Sequence, residues 1–182
     1  MHARSLVSMA AVVLTIACRV DVRESSRPSP TEFELNELSV AQLQDEMTSG
    51  RYTSHRLVQL YLRRIAQIDA AGPRLRSVIE TNPDALTIAR KLDDTKPSVK
   101  RPLAGVPILV KDNIATGDKQ PTTAGSLALE GARAKCDSTV VQLLRDAGAV
   151  ILGKANLTEF ANMLAIDMPS GYSSLGGQVK NP

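Results

Sequence analysis

The chain has 182 residues, 43% of them hydrophobic and 23% charged, with a net charge of +3 from 22 basic and 19 acidic side chains. That length accommodates one domain with a real core, and the ordinary balance fits a globular protein. The aromatic set is Phe33, Tyr52, Tyr61, Phe160 and Tyr172, and the charges are interspersed. The chain therefore has neither a basic stripe nor a stacking platform, which argues against nucleic-acid binding. Its 2 cysteines, Cys18 and Cys136, and 2 histidines, His2 and His55, exclude a disulfide scaffold and histidine- or cysteine-rich metal sites.

The first 18 residues form a separate compositional unit. His2 and Arg4 precede an uncharged, apolar run from Leu6 to Ala17. The run is too short to span a bilayer, which takes about 20 helical residues, but it fits the core of an export signal. Its end at Ala17-Cys18 is similar to a lipoprotein cleavage box, with Thr15 a poor fit, so lipidation at Cys18 and plain secretion both stay open. Residues 19–37, with Pro28 and Pro30, read as a linker. The expected location is extracytoplasmic.

Folded structure is expected from Leu38. Ser39 and Gln42 have capping-box spacing and open a helix that stops at Gly50. Thr53 to Ala70 reads as a longer helix, with Leu57, Leu60, Tyr61, Ile65 and Ile68 on one face and Gly72-Pro73 after it. Ser77 to Thr81 is a strand candidate, and Asn82-Pro83 opens a helix reaching about Leu92. Lys96 to Arg101 reads as a loop.

From Leu103 strands and helices alternate. Val106 to Val110 reads as a strand covered on both faces. Ser138 to Ala147 reads as a helix with Val140, Val141 and Leu144 turned inward, followed by a strand from Ala149 to Leu152. Asn156 with Glu159 fits the start of a further helix, and Ser170 to Pro182 reads as loop. This order predicts an α/β fold with a largely parallel central sheet.

Two chemistries are rejected on these residues. Gly148 to Ala155 nearly matches a phosphate-binding loop, but Ala155 lacks the metal-binding hydroxyl and the middle residues read as an apolar strand. A Ser-His-Asp triad would need His55, which sits on the first turn of a helix with no nucleophile elbow in the chain, and reads as a solvated or capping histidine. Lys111 stands out because it closes an apolar strand at the carboxyl end, where open α/β sheets place ligands. A lysine kept from water there favours its neutral form and can act as a base; the competing reading is that it snorkels into solvent, and Asp112 could pair with it.

Four segments together resemble the amidase signature family: Gly105-Val-Pro-Ile-Leu-Val-Lys111-Asp112-Asn113-Ile114, Thr122-Thr-Ala-Gly-Ser126, Asp137-Ser-Thr-Val-Val141 and Gly148-Ala-Val-Ile-Leu-Gly-Lys-Ala-Asn-Leu-Thr-Glu-Phe-Ala161. The resemblance runs from Leu38 to the last residue, and Ser170 to Gln178 is similar to the bacterial peptide-amidase branch. It implies an α/β/α sandwich, with residues 38–182 forming its N-terminal part, and hydrolysis of a small-molecule or peptide amide without a cofactor or metal. It implies a Ser–cisSer–Lys mechanism in which Lys111 is the catalytic lysine. The glycine- and serine-rich segment bearing both serines would follow Asn181-Pro182, so the polypeptide 1–182 is expected to be inactive. A parallel sheet without later strands to cover its edge is also expected to leave it poorly soluble or partly unfolded alone. Ser170, Gly171 and Tyr172 are substrate-cleft candidates, and Ser173 and Ser174 read as loop residues near the cleft. Two alternatives remain: a non-catalytic, lipid-anchored binding protein of the same fold, and an amidotransferase A-type subunit. The only membrane link expected is a lipid anchor at Cys18.

Overall fold

The computed structural model describes residues 33–95 and 101–182. The export signal, Cys18, residues 19–32 of the linker and most of the 96–101 loop lie outside the described residues. The compact unit holding all the elements below begins at Leu35, which is buried, three residues ahead of the expected boundary.

Helix α1 spans Val40–Thr48 and starts with the expected capping box. The Ser39 N–H donates to Gln42 Oε1 at 2.8 Å, and the Gln42 N–H donates back to Ser39 Oγ at 3.3 Å. Helix α2, Ser54–Arg64, is capped by Thr53, whose hydroxyl accepts the Arg56 N–H. A wider π-helical turn, Ile65–Ala70, continues α2 before Gly72. Strand β1 is Val78–Thr81 and helix α3 is Ala85–Thr95. Strand β2 is Pro107–Lys111, helix α4 is Thr139–Asp146 and strand β3 is Val150–Ala155.

These elements build a mixed α/β structure around a sheet of order β1-β3-β2. Strands β2 and β3 run parallel through the α4 crossover, whereas β1 lies antiparallel on the other side of β3. The β1–β3 contact is close because residue 153 is glycine: a Cβ there would stand 2.3 Å from the Glu80 carbonyl oxygen.

Alternation along β3 sends side chains into two cores. Val150 and Leu152 pack with Val58 of α2 and with Ala85 and Ala89 of α3. Ile151 packs with Val110 and Val141 on the α4 side. Helices thus cover both faces of β3, in the layered arrangement the resemblance implies. On α4 the inward face is Val141 and the half-buried Leu144; Val140, expected inside, is 47% exposed. One residue is a turn of about 100° on a helix, so neighbouring valines cannot both face a narrow core.

Two further expectations are corrected. Asn156 and Glu159 do not open an α-helix. The chain makes only a short irregular turn at Glu159–Asn162, where Phe160, Ala161 and Asn162 all have positive φ. Asn156 is unavailable as a cap because its side-chain oxygen accepts the Leu157 N–H and the Ser173 hydroxyl. Nor is the segment from Ser170 onward all loop: β4, Tyr172–Ser173, pairs antiparallel with β5, Gly177–Gln178.

Candidate active site

Lys111 is the last residue of β2, and its side chain is exposed. The expected covering of Lys111 is absent among the described residues, and β2, expected to be covered on both faces, is covered unevenly: Val110 is buried while Leu109 is 38% exposed. The pairing with Asp112 is also absent. Asp112 is 1% exposed, and its carboxylate accepts the N–H groups of Thr123 and Gly125 and the Thr123 hydroxyl. Its backbone carbonyl takes the Ala124 N–H at 3.2 Å. Asp112 therefore folds the Thr122–Ser126 loop back against the strand end and leaves Lys111 unpaired among the described residues.

This loop needs left-handed backbone at Ala124 and Gly125, with φ of 51° and 77°. Glycine relieves the second, and a Cβ there would meet the Ser173 Cβ at 2.7 Å. The Ala124 carbonyl accepts the Phe160 N–H, and the Gly125 carbonyl accepts the Leu175 N–H. The hairpin is thus tied to the same loop that Asp112 holds.

Among the cleft candidates, Ser170 and Tyr172 are exposed and Gly171 is half-buried. The Gly171 N–H donates to Thr158 Oγ1 at 2.7 Å, and the Ser170 carbonyl accepts from Gln178 Nε2. Ser173 is fully buried: its hydroxyl donates to Asn156 Oδ1 at 2.7 Å and accepts the Gly176 N–H. Ser174 Oγ accepts the Leu127 N–H, and the Ser174 N–H donates to Glu159. Hydrogen bonds from Ser174, joined by the Ser126 hydroxyl, hold the Glu159 carboxyl below its ordinary range. Both serines are occupied by structural hydrogen bonds; Ser174 lies in the turn as expected, whereas Ser173 belongs to strand β4 and not to a loop.

A groove of about 1100 Å³ lies beside β1, lined by Arg74, Arg76, Glu80, Asp112, Thr123 and Arg133 among others. Lys111 and Ser170–Tyr172 do not line it, so this groove and the sequence candidates fall in different places; Asp112 and its loop connect them. Burial and the Asp112 charge push the Glu80 carboxyl up, against the opposing effect of Arg133. His55 sits at the start of α2, its N–H accepted by Asp93 and its Nε2 3.1 Å from Arg90, so the Asp93 carboxylate and not the His55 ring serves this first turn.

Sequence reasoning missed Lys154. It is fully buried in β3, and its Nζ donates to the Ile114 carbonyl at 2.7 Å and to Thr122 Oγ1 at 3.0 Å. Burial drives its pKa down against the opposing carboxylates of Asp112, Asp118 and Asp137. Its signal is one charged residue inside the apolar run from Val150 to Ala155, a position that the rejected phosphate loop and the fourth amidase-like segment both contain without giving it a role. Strand placement of that run removes the phosphate-loop geometry. No cluster of metal-ligating side chains occurs among the described residues.

Residues 56–182 match the amidase family model. The chain belongs to the amidase family. It superimposes on the native peptide amidase of Stenotrophomonas maltophilia with a TM-score of 0.79 and 50% identity, over 83% of this chain and 31% of that one. An amidase family protein from Bacillus anthracis gives the same TM-score at 43% identity, over 82% of this chain and 30% of that one. By sequence, it is 42% identical to a probable amidase of Arabidopsis thaliana over 97% of this chain and 34% of that protein. It is also 44% identical to the A-type subunit of the glutamyl-tRNA(Gln) amidotransferase of Thermobifida fusca, over 82% of this chain and 29% of that protein. The amidase chain thus spans about a third of the length of these relatives.

Proposed function

We propose that this chain supplies the lysine-bearing part of an amide-hydrolysing enzyme, with Lys111 as the proton acceptor. The observation that carries this reading is the place of Lys111 in the amidase-like segment Gly105–Ile114, inside the stretch 56–182 that matches the family model. Among the described residues Lys111 is exposed and the adjacent carboxylate is committed elsewhere, so the covering that a base needs has to come from another segment. In the mechanism the resemblance implies, a nucleophilic serine attacks the amide carbon and its proton passes through a bridging serine to Lys111. The C–N bond breaks and the nitrogen leaves with a proton, giving ammonia from a primary amide. Water then attacks the acyl-enzyme, releases the acid and restores the serine. The family's motif order puts those serines beyond Asn181-Pro182, so residues 1–182 alone are expected to be inert.

Peptide C-terminal amides are the favoured substrates, because identity to the peptide amidase reaches 50% with the same fold over 83% of the chain. Similarity to the A-type subunits of amidotransferases supports a second reading, ammonia release within an assembly. The apolar stretch ahead of Cys18 favours an exported enzyme over that assembly. The full gene product should release ammonia from a peptide amide without partner subunits. Lys111→Ala should lower kcat/KM by about a thousandfold, within the range of a lost general base. Turnover by the Lys111→Ala enzyme at near-parental rate would remove Lys111 from the mechanism, and glutamine hydrolysis requiring a partner would favour the second reading.

A further inference from the structure

We propose that Lys154 is a positioning residue for the candidate site: its ammonium pins both limbs of the loop that follows Lys111 and so fixes how Lys111 leaves β2. The site assignment rests on the amide-hydrolysis reading, but the pin itself does not.

Lys154 is a costly choice for its position. It is fully buried, and its Nζ bonds to a carbonyl and a hydroxyl, with no direct ion pair among the described residues. Burying an ammonium without a paired carboxylate costs far more than burying a well-packed apolar side chain of similar volume. Three carboxylates, Asp112, Asp118 and Asp137, act on it at longer range. Filling space would be done better by methionine.

What methionine could not do is hold the loop. Ile114 and Thr122, the two residues that Lys154 grips, lie on opposite limbs of the connection between β2 and the Thr122–Ser126 loop. The Ile114 N–H closes a turn onto the Lys111 carbonyl at 2.9 Å, so the first limb is tied to Lys111 itself. On the second limb, Thr123 follows Thr122 directly and is held by Asp112. In the sheet, Lys154 is the register partner of Val110, immediately before Lys111. An ammonium below the strand end and a carboxylate on its next residue together leave Lys111 as the free position between two fixed points.

The test uses Lys154→Met, which keeps length and removes the donors, and Thr122→Val, which keeps shape and removes one acceptor. Hydrogen exchange on the full gene product should show amides of residues 112–125 losing protection at least tenfold in Lys154→Met and about threefold in Thr122→Val. Amides of α2 and α3 should keep theirs. In the full gene product, kcat should fall at least tenfold with KM changed less than threefold. Unchanged exchange in the loop overturns the pin, as does equal loss across α2 and α3, which would make Lys154 a general core residue. Loop loosening with unchanged kcat overturns the positioning role. Absence of all amide hydrolysis in the parent would instead overturn the amidase reading, while the exchange data still decide the pin.

Discussion

The Asp112 carboxylate accepts the Gly125 N–H at 3.1 Å across thirteen residues of chain, and through this bond the end of β2 carries the loop that supports the β4–β5 hairpin. Sequence neighbours thus have divergent tasks: Asp112 organises backbone and Lys111 stays open. Asp112→Ala would strand the Thr123 and Gly125 N–H groups in a buried site. A loss of about 3 kcal/mol is expected from hydrogen bonds to a charged acceptor, with Asp112→Asn costing about half. Urea unfolding followed by circular dichroism measures both.

Ser173 is buried structure and Ser174 a backbone latch, so neither should behave as a nucleophile. Ser173→Ala leaves the Gly176 N–H without its acceptor and should cost about 1–2 kcal/mol. In the full gene product, a serine-directed fluorophosphonate should label the Ser173→Ala and Ser174→Ala variants as well as the parent. Loss of labelling in either variant would assign the nucleophile to that residue.

The division of α4 into a covered and an open side is testable by paired truncation. Val141→Ala removes packing against Val110 and Ile151 and should cost about 2 kcal/mol. Val140→Ala, at a position 47% exposed, should stay within about 0.5 kcal/mol. Equal losses would return Val140 to the core.

Close approach of β1 to β3 makes Gly153 a size limit. Gly153→Ala would drive a methyl into the Glu80 carbonyl, 2.3 Å away, and force the strands apart at a cost of about 3 kcal/mol. Thermal unfolding should show the drop, and exchange should locate it at β1.

Acid should loosen the latch between Glu159 and the hairpin. The folded-state pKa of Glu159 lies below its unfolded value because Ser174 and Ser126 hydrogen-bond to the charged form. Its contribution is therefore complete above the ordinary glutamate value and is lost as pH falls through the lowered folded value. The Ser174 amide resonance should titrate in that acidic window, and Glu159→Gln should abolish the transition.

Much of the scaffold was legible in the chain because its cause is local. The Ser39–Gln42 box, the helix start near Thr53, the α2 stripe and the apolar runs of β2 and β3 depend on neighbours a turn or a pleat away. The four-segment resemblance likewise identified the family and singled out Lys111 from the residues alone. The tertiary structure decided what depends on partners distant in sequence. Antiparallel pairing placed β1 beside β3, Ser173 claimed Asn156 and prevented the expected helix start, and Thr123 with Gly125 drew Asp112 away from Lys111. Lys154 shows the physical reason most directly. A lysine in a strand is solvated or buried according to what lies around its nitrogen, and the Ile114 carbonyl and Thr122 hydroxyl reach it only after the chain has folded back on itself.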